Sequence, residues 1–279
     1  MIVLKNLLFY FVVCLLSGVS LMGQVTNRVD LNSEMGLERK SKYNLDELKI
    51  RWKKAALENC TGVPCFICGN STVSDIDGHA YTTVLIGNQC WTKENLKVTK
   101  YNNNDVIPDS TLSTWGMTAT GARTEYVVGG VTVSGYVGTY GYIYNWYAVD
   151  DQRKLCPAGW HIPTDGEWSA MIQHLDNAAL STTVGTQSPS AGGSMKSLSS
   201  LWNAPNTRAT NSSGFSALPA AFRNSSGASA GIRINAFFWS SSSIDPINAW
   251  YRNVGTNNSN VDRLNLAKSH GASVRCIKD

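Results

Sequence analysis

Apolar residues run unbroken from Leu7 to Leu16, behind Lys5 and ahead of the small residues Gly18, Ser20 and Gly23. That order of charge, apolar run and small residues predicts a secretory signal peptide over 1–23, and the run is short for a membrane span. Cleavage is expected before Gln24 or after Ser20. A polar leader over 24–68 follows. Within it Leu45, Leu48, Trp52 and Ala55/Ala56 recur at helical spacing, predicting an amphipathic helix over about 44–59 with Asn44 as cap and Glu47 three residues on. Past Gly69 the period changes to two. VSDIDGHAYTTVLIGNQCW alternates β-formers with polar residues around Asp77-Gly78 and Gly87-Asn88, the pattern of hairpins. Residues 102–140 read as loops with short strands, and YGYIYNWYAVDD (140–151) as a buried segment. Trp168, Met171/Ile172 and Leu175 then mark one face of a helix opening at Thr164. FWSSSSIDPINAWYRNV reads as strand, polar loop and strand, and GTNNSNVDRLN (255–265) as an exposed loop.

Composition narrows the partners. The formal net charge is +4, only 16% of residues are charged, and no long Lys/Arg block occurs, which argues against nucleic acid. After the signal peptide the chain is long enough for one large domain plus an appendage. Of seven cysteines, Cys14 falls in the apolar run. The remaining six are an even set in an oxidising compartment, so disulfides are the first reading. Two alternatives stay open: a four-thiolate zinc site from Cys60, Cys65, Cys68 and Cys90, and a redox pair in CFIC.

LCPAGWHIPTDGEW (155–168) holds the densest candidate chemistry. Cys156, His161, Asp165 and Glu167 could be a nucleophile with its base, or metal ligands. Each also has an architectural role. Thr164 and Glu167 form the T-x-x-E of a capping box, Asp165 complements the positive helix end, and His161 alone suits a hydrogen-bonded packing position. DIDG departs from a calcium loop, because Gly78 is fourth from Asp75 and the twelfth position is Ile86. Ser240–Ser243 lacks a neighbouring base, and Asp245 and Asp262 are too few for a glycosidase pair or a calcium shell. No cofactor motif is present.

DIDGHAYTTVLIGNQCWTKENLKVTKY, YGYIYNWYAV, LCPAGWHIPTDGEW, AGGSMKS, NSSGFSALPAAFR, FFWSSS and SVRCIKD together resemble the Fibrobacter succinogenes major paralogous domain, placing a domain over about 69–279. That family is similar in turn to the C-type-lectin-like fold shared with formylglycine-generating enzymes. The resemblance implies an α+β domain with two packed helices, short twisted antiparallel strands, long loops and disulfide staples. It also implies a bridge from Cys156 to Cys276, and a bond from Cys90 to one of Cys60, Cys65 or Cys68. The copper-binding cysteine pair of those enzymes has no counterpart between Phe237 and Ser273, so the resemblance does not extend to their oxidation. It places a ligand surface at Trp239, Asn248, Trp250, Tyr251, Arg252 and Asn253. Gly192–Gly193 should allow a tight turn, with Phe215, Leu218 and Phe222 packing. The expectation is an exported, non-catalytic module that binds a glycan or a protein at the cell surface and does not span the membrane once cleaved. A purely structural surface domain without a pocket is the alternative.

Overall fold

In the first hairpin, Asp75 accepts the backbone N–H groups of Asp77 and His79 at 3.0 and 2.9 Å, closing the turn that Gly78 completes at φ +85°. This local wrapping by a buried carboxylate accounts for the turn at DIDG from within the segment itself. The computed structural model describes residues 66–279 apart from 111–113, 118, 129–130 and 134. The expected signal peptide, the leader helix, Cys60 and Cys65 lie outside the described residues. Among the described residues no helix is long and apolar enough to cross a membrane.

In chain order the strands begin with β1 (Thr72–Ser74), β2 (Ala80–Ile86), β3 (Gln89–Thr92), β4 (Arg123–Thr124), β5 (Val127–Val128), β6 (Val131–Thr132), β7 (Ile143–Asn145), β8 (Trp160–His161) and β9 (Gly185–Ser188). They continue with β10 (Ala220–Arg223), β11 (Ser229–Ile232), β12 (Asn235–Ser243), β13 (Asn248–Gly255), β14 (Val261–Ala267), β15 (Gly271–Ala272) and β16 (Ile277–Lys278). Helices are α1 (Tyr136–Tyr140), α2 (Trp146–Val149), α3 (Asp165–Leu175) and α4 (Ala191–Met195), with a 3-10 turn at Trp115–Met117. The strands form sheets ordered β1-β2-β3-β16-β8, β11-β10-β15-β7-β4 and β12-β13-β14-β9, plus the ribbon β5-β6, and the paired strands are antiparallel. The architecture is α+β, with two disulfides among the described residues, Cys68–Cys90 and Cys156–Cys276.

Three expectations need correction. Where two packed helices were expected, α3 alone is long among the described residues, at 11 residues, and AGGSMKS forms only the five-residue α4. In α4 the glycines serve close approach rather than a turn. A Cβ on Gly192 would lie 2.2 Å from the Asn260 carbonyl oxygen, and one on Gly193 would lie 2.5 Å from that of Arg208. The expected loop at 255–265 is a short turn followed by β14, whose Val261 and Arg263 are buried.

The β12–β13 hairpin lies between two cores because neighbouring side chains on a strand point to opposite faces. Phe238 joins Trp91, Trp168 and Phe215, with ring centroids 4.8–5.9 Å apart. Trp239, one residue on, packs with Tyr144, Trp146, Trp160 and Tyr251 around Cys156 and Cys276. A third cluster gathers Trp115, Tyr126, Tyr136, Tyr140 and Ile143 under β10. Aromatic side chains dominate these interiors, and truncating one to alanine costs about 3–5 kcal/mol.

Buried cations are threaded between the cores. Arg275 is fully buried against Phe215 and donates to Asn95 Oδ1 and to the carbonyls of Thr92, Phe215 and Ser216. Lys196 Nζ donates to the carbonyls of Thr207, Gly255 and Asn258 at 2.7, 3.1 and 2.7 Å, and burial pulls its pKa down to about 8.

Candidate functional site

The segment 155–168 crosses the domain in four steps. Cys156 is tied to Cys276, Gly159 turns the chain at φ +76°, β8 joins the first sheet beside β16, and Pro163 hands over to α3. The capping box is complete. Thr164 Oγ1 accepts from the Glu167 N–H at 3.2 Å, and the Thr164 N–H donates to Glu167 Oε2 at 2.8 Å. His161 bridges two carboxylates, with Nδ1 2.6 Å from Asp279 Oδ1 and Nε2 2.9 Å from Glu167 Oε1. Burial alone would lower the His161 pKa, but its hydrogen bonds to Asp279 and Glu167 outweigh this and raise it. For Glu167 burial acts upward and is outweighed by the bonds from Thr164 and His161, so its carboxyl titrates below the usual range.

Against this segment opens a cleft of about 260 Å³, lined by Val149–Gln152, Lys154–Cys156, Trp160–Ile162 and Ser241. Leu155, Trp160 and Ile162 form an apolar wall, while Asp150, Gln152 and Lys154 are exposed around it. Asp151 is held by Arg153, whose guanidinium donates to it from Nε at 2.9 Å and Nη2 at 2.7 Å and keeps its carboxyl below the usual range. Of the cleft residues only Cys156 and His161 carried candidate chemistry in the sequence. The signal for the others was D-D-Q-R-K (150–154), a charged run in a charge-poor chain directly behind an aromatic segment.

Of the six residues expected to form a ligand surface, Trp239, Tyr251 and Arg252 are corrected to interior positions. Trp239 and Tyr251 face the core around the Cys156–Cys276 bond, and the Trp239 indole donates to the Tyr144 carbonyl at 2.8 Å. Arg252 points to the opposite face. It donates to Asp165 Oδ1 at 2.8 Å, Gln187 Oε1 at 2.9 Å and Ser169 Oγ at 3.1 Å. Asn248 and Asn253 are partly exposed, and each has an internal partner. Asn248 Nδ2 donates to Asp245 Oδ2 at 3.0 Å in the hairpin turn, and Asn253 Nδ2 donates to Asp262 Oδ2 at 3.2 Å across the strands. Trp250 is half-buried under the Arg263 guanidinium, 3.4 Å from its ring centroid. The structure therefore does not gather the six on one open face, since β13 is covered on both sides. Asp245 and Asp262 are likewise apart, one at the turn before β13 and the other opposite its Asn253.

Asp165 does more than complement the helix end. It accepts from both Arg252 and Arg263, the latter through Nε at 3.0 Å and Nη2 at 2.8 Å. The partners stand 87 and 98 residues away, beyond the reach of local pattern reading. Among the cysteines, the partner of Cys90 is Cys68, so a zinc site sharing those two thiolates is corrected to a disulfide, and Cys68 is not paired within CFIC. Among the described residues no group of three or more His, Cys, Asp or Glu side chains is arranged to hold a metal ion.

No curated protein and no solved structure matches the chain. The family model described as the Fibrobacter succinogenes major domain matches residues 84–278, from within β2 to the end of β16 and across all three sheets. With Cys90, the Cys156–Cys276 bond and the whole 155–168 segment inside that span, the chain belongs to the Fibrobacter succinogenes major domain family.

Proposed function

We propose that this domain is an exported, non-catalytic binding module of C-type-lectin-like build, and that it recognises a cell-surface glycan through the cleft beside β8. The observation that carries the reading is the cleft itself. It sets an apolar wall of Leu155, Trp160 and Ile162 next to the donors and acceptors of Asp150, Gln152, Lys154 and Ser241. Apolar surface suits the C–H face of a sugar, and the polar groups suit its hydroxyls. At about 260 Å³ it is smaller than the ~300–1,000 Å³ pockets that enclose larger ligands, a size for one ring of a chain.

Support for a non-catalytic role comes from how the reactive groups are engaged. Cys156 is in a disulfide, both His161 nitrogens are occupied, and Glu167 caps α3. Two disulfides suit an oxidising compartment outside the cytoplasm. The lectin-like build is supported by the bridge joining the segment ahead of α3 to the last residues of the domain.

The test is a glycan array with a parallel surface-protein pull-down, using the native protein and an Asp150→Asn/Lys154→Ala double variant. Both positions are exposed, so the fold should persist. Glycan binding weakened about tenfold in the variant is expected, the worth of one or two hydrogen bonds. Equal glycan binding by the two proteins refutes the cleft, and capture of protein alone refutes the glycan. Silence in both assays leaves the domain a structural one.

A further inference from the structure

Among the described residues three arginines have no exposed surface: Arg223, Arg252 and Arg275. Arg252 has the Asp165 carboxylate, and Arg275 has four acceptor oxygens. Among the described residues Arg223 has only the Thr124 hydroxyl, to which Nη1 donates, and its Nε and Nη2 have no hydrogen-bond partner there. The carboxylate whose charge acts on it, Asp109, is itself bonded to Arg123 at 3.3 Å and is largely exposed. The Arg223 guanidinium lies 5.0 Å from the Trp115 ring centroid, and the fully buried Trp115 Nε1–H also lacks a partner. The surroundings are apolar: Ile143, Ala220 and Ala221 join the same cluster, and a Cβ on Gly271 would collide with Ile143 and Trp115.

An uncompensated buried charge costs several kcal/mol, and a stranded buried donor in a native protein is costly unless a water or an ion receives it. The stranded atoms are all donors. A water there would satisfy at most two of them and bring two hydrogens that themselves need acceptors, whereas a small anion accepts from several donors and cancels the charge. We propose that Arg223, with Trp115 beside it, holds a buried monovalent anion of the halide class. The site lies under the second sheet, is independent of the cleft, and serves to complete the third aromatic cluster.

The test compares melting of the full chain in sodium chloride, sodium bromide and sodium gluconate at equal ionic strength. A saturable, halide-specific rise in Tm of at least about 2 °C over a hundredfold increase in halide is expected. Arg223→Met should abolish the rise, because its buried charge is gone. Equal melting in halide and gluconate overturns the proposal, and so does a halide effect that survives in Arg223→Met. If that variant does not fold, crystals of the native protein grown in bromide decide. An anomalous peak within hydrogen-bonding distance of Arg223 Nε or Nη2 upholds the site, and its absence there refutes it.

Discussion

Asp165 accepts from two guanidiniums that share no other carboxylate within the salt-bridge network. Removing its charge leaves Arg252 uncompensated in the interior, where burial already lowers its pKa to about 10. Asp165→Asn should therefore lower stability by about 3–5 kcal/mol, read as a shift in urea midpoint. Arg263→Met should cost less, because Arg252 then keeps the carboxylate to itself, and a larger loss from Arg263→Met would contradict this hierarchy. His161 makes a separate, pH-dependent contribution. Its raised pKa favours the imidazolium in the folded state, so its contribution is complete below the ordinary histidine value of 6.5 and lost as pH rises through the raised one. Glu167 has the opposite sign, complete above its ordinary 4.5 and lost as pH falls through its lowered value. The clasp is thus strongest between about pH 4.5 and 6.5. His161→Gln should flatten the decline of Tm above that window. The effect is small because all three partners are partly exposed, and an unchanged pH profile would count against the clasp.

At the scale of elements, α3 is set by its own first turn. Thr164→Ala should cost about 1 kcal/mol in denaturant unfolding, while Thr164→Ser retains the acceptor and most of the stability. A loss no larger in Ala than in Ser would show that the box contributes nothing. This element was legible from T-x-x-E and the spacing of Trp168, Met171 and Leu175, because a cap and one apolar face are local facts. The hairpins at Asp77-Gly78 and Gly87-Asn88 were legible for the same reason. The faces of β12–β13 were not. Alternation tells which residues share a side of a strand, and here Phe238 and Trp239 both face cores, so no side was free to present Trp239, Tyr251 and Arg252. β14 was hidden by its own composition, since Asp262, Arg263 and Asn265 find their places through β9, α3 and β13 rather than through neighbours in sequence.

At the scale of the whole domain, two covalent links among the described residues close loops of very different size, with sequence separations of 22 for Cys68–Cys90 and 120 for Cys156–Cys276. Loop-closure entropy assigns about 3 kcal/mol to the first and about 4–5 kcal/mol to the second. Paired Cys→Ser replacement at Cys156 and Cys276 should therefore destabilise more than the same change at Cys68 and Cys90. The reverse order in matched urea melts would show that strain or residual structure, rather than loop length, governs them. The pairing of Cys156 with Cys276 could be anticipated only through family resemblance, because no local pattern links residues so distant. The cleft was less legible still, being assembled from the end of α2, the 150–156 turn, β8 and one serine of β12.

The placement of β16 carries a consequence for how the protein folds. Ile277 and Lys278 lie inside the first sheet, next to its edge strand, pairing with β3 on one side and β8 on the other. Among the described strands β16 comes last in the chain, so β3 and β8 stay unjoined until a segment distant from both in sequence has docked between them. The first sheet therefore closes by pairing between distant parts of the chain, a slower step than forming the local hairpins β1–β2 and β2–β3.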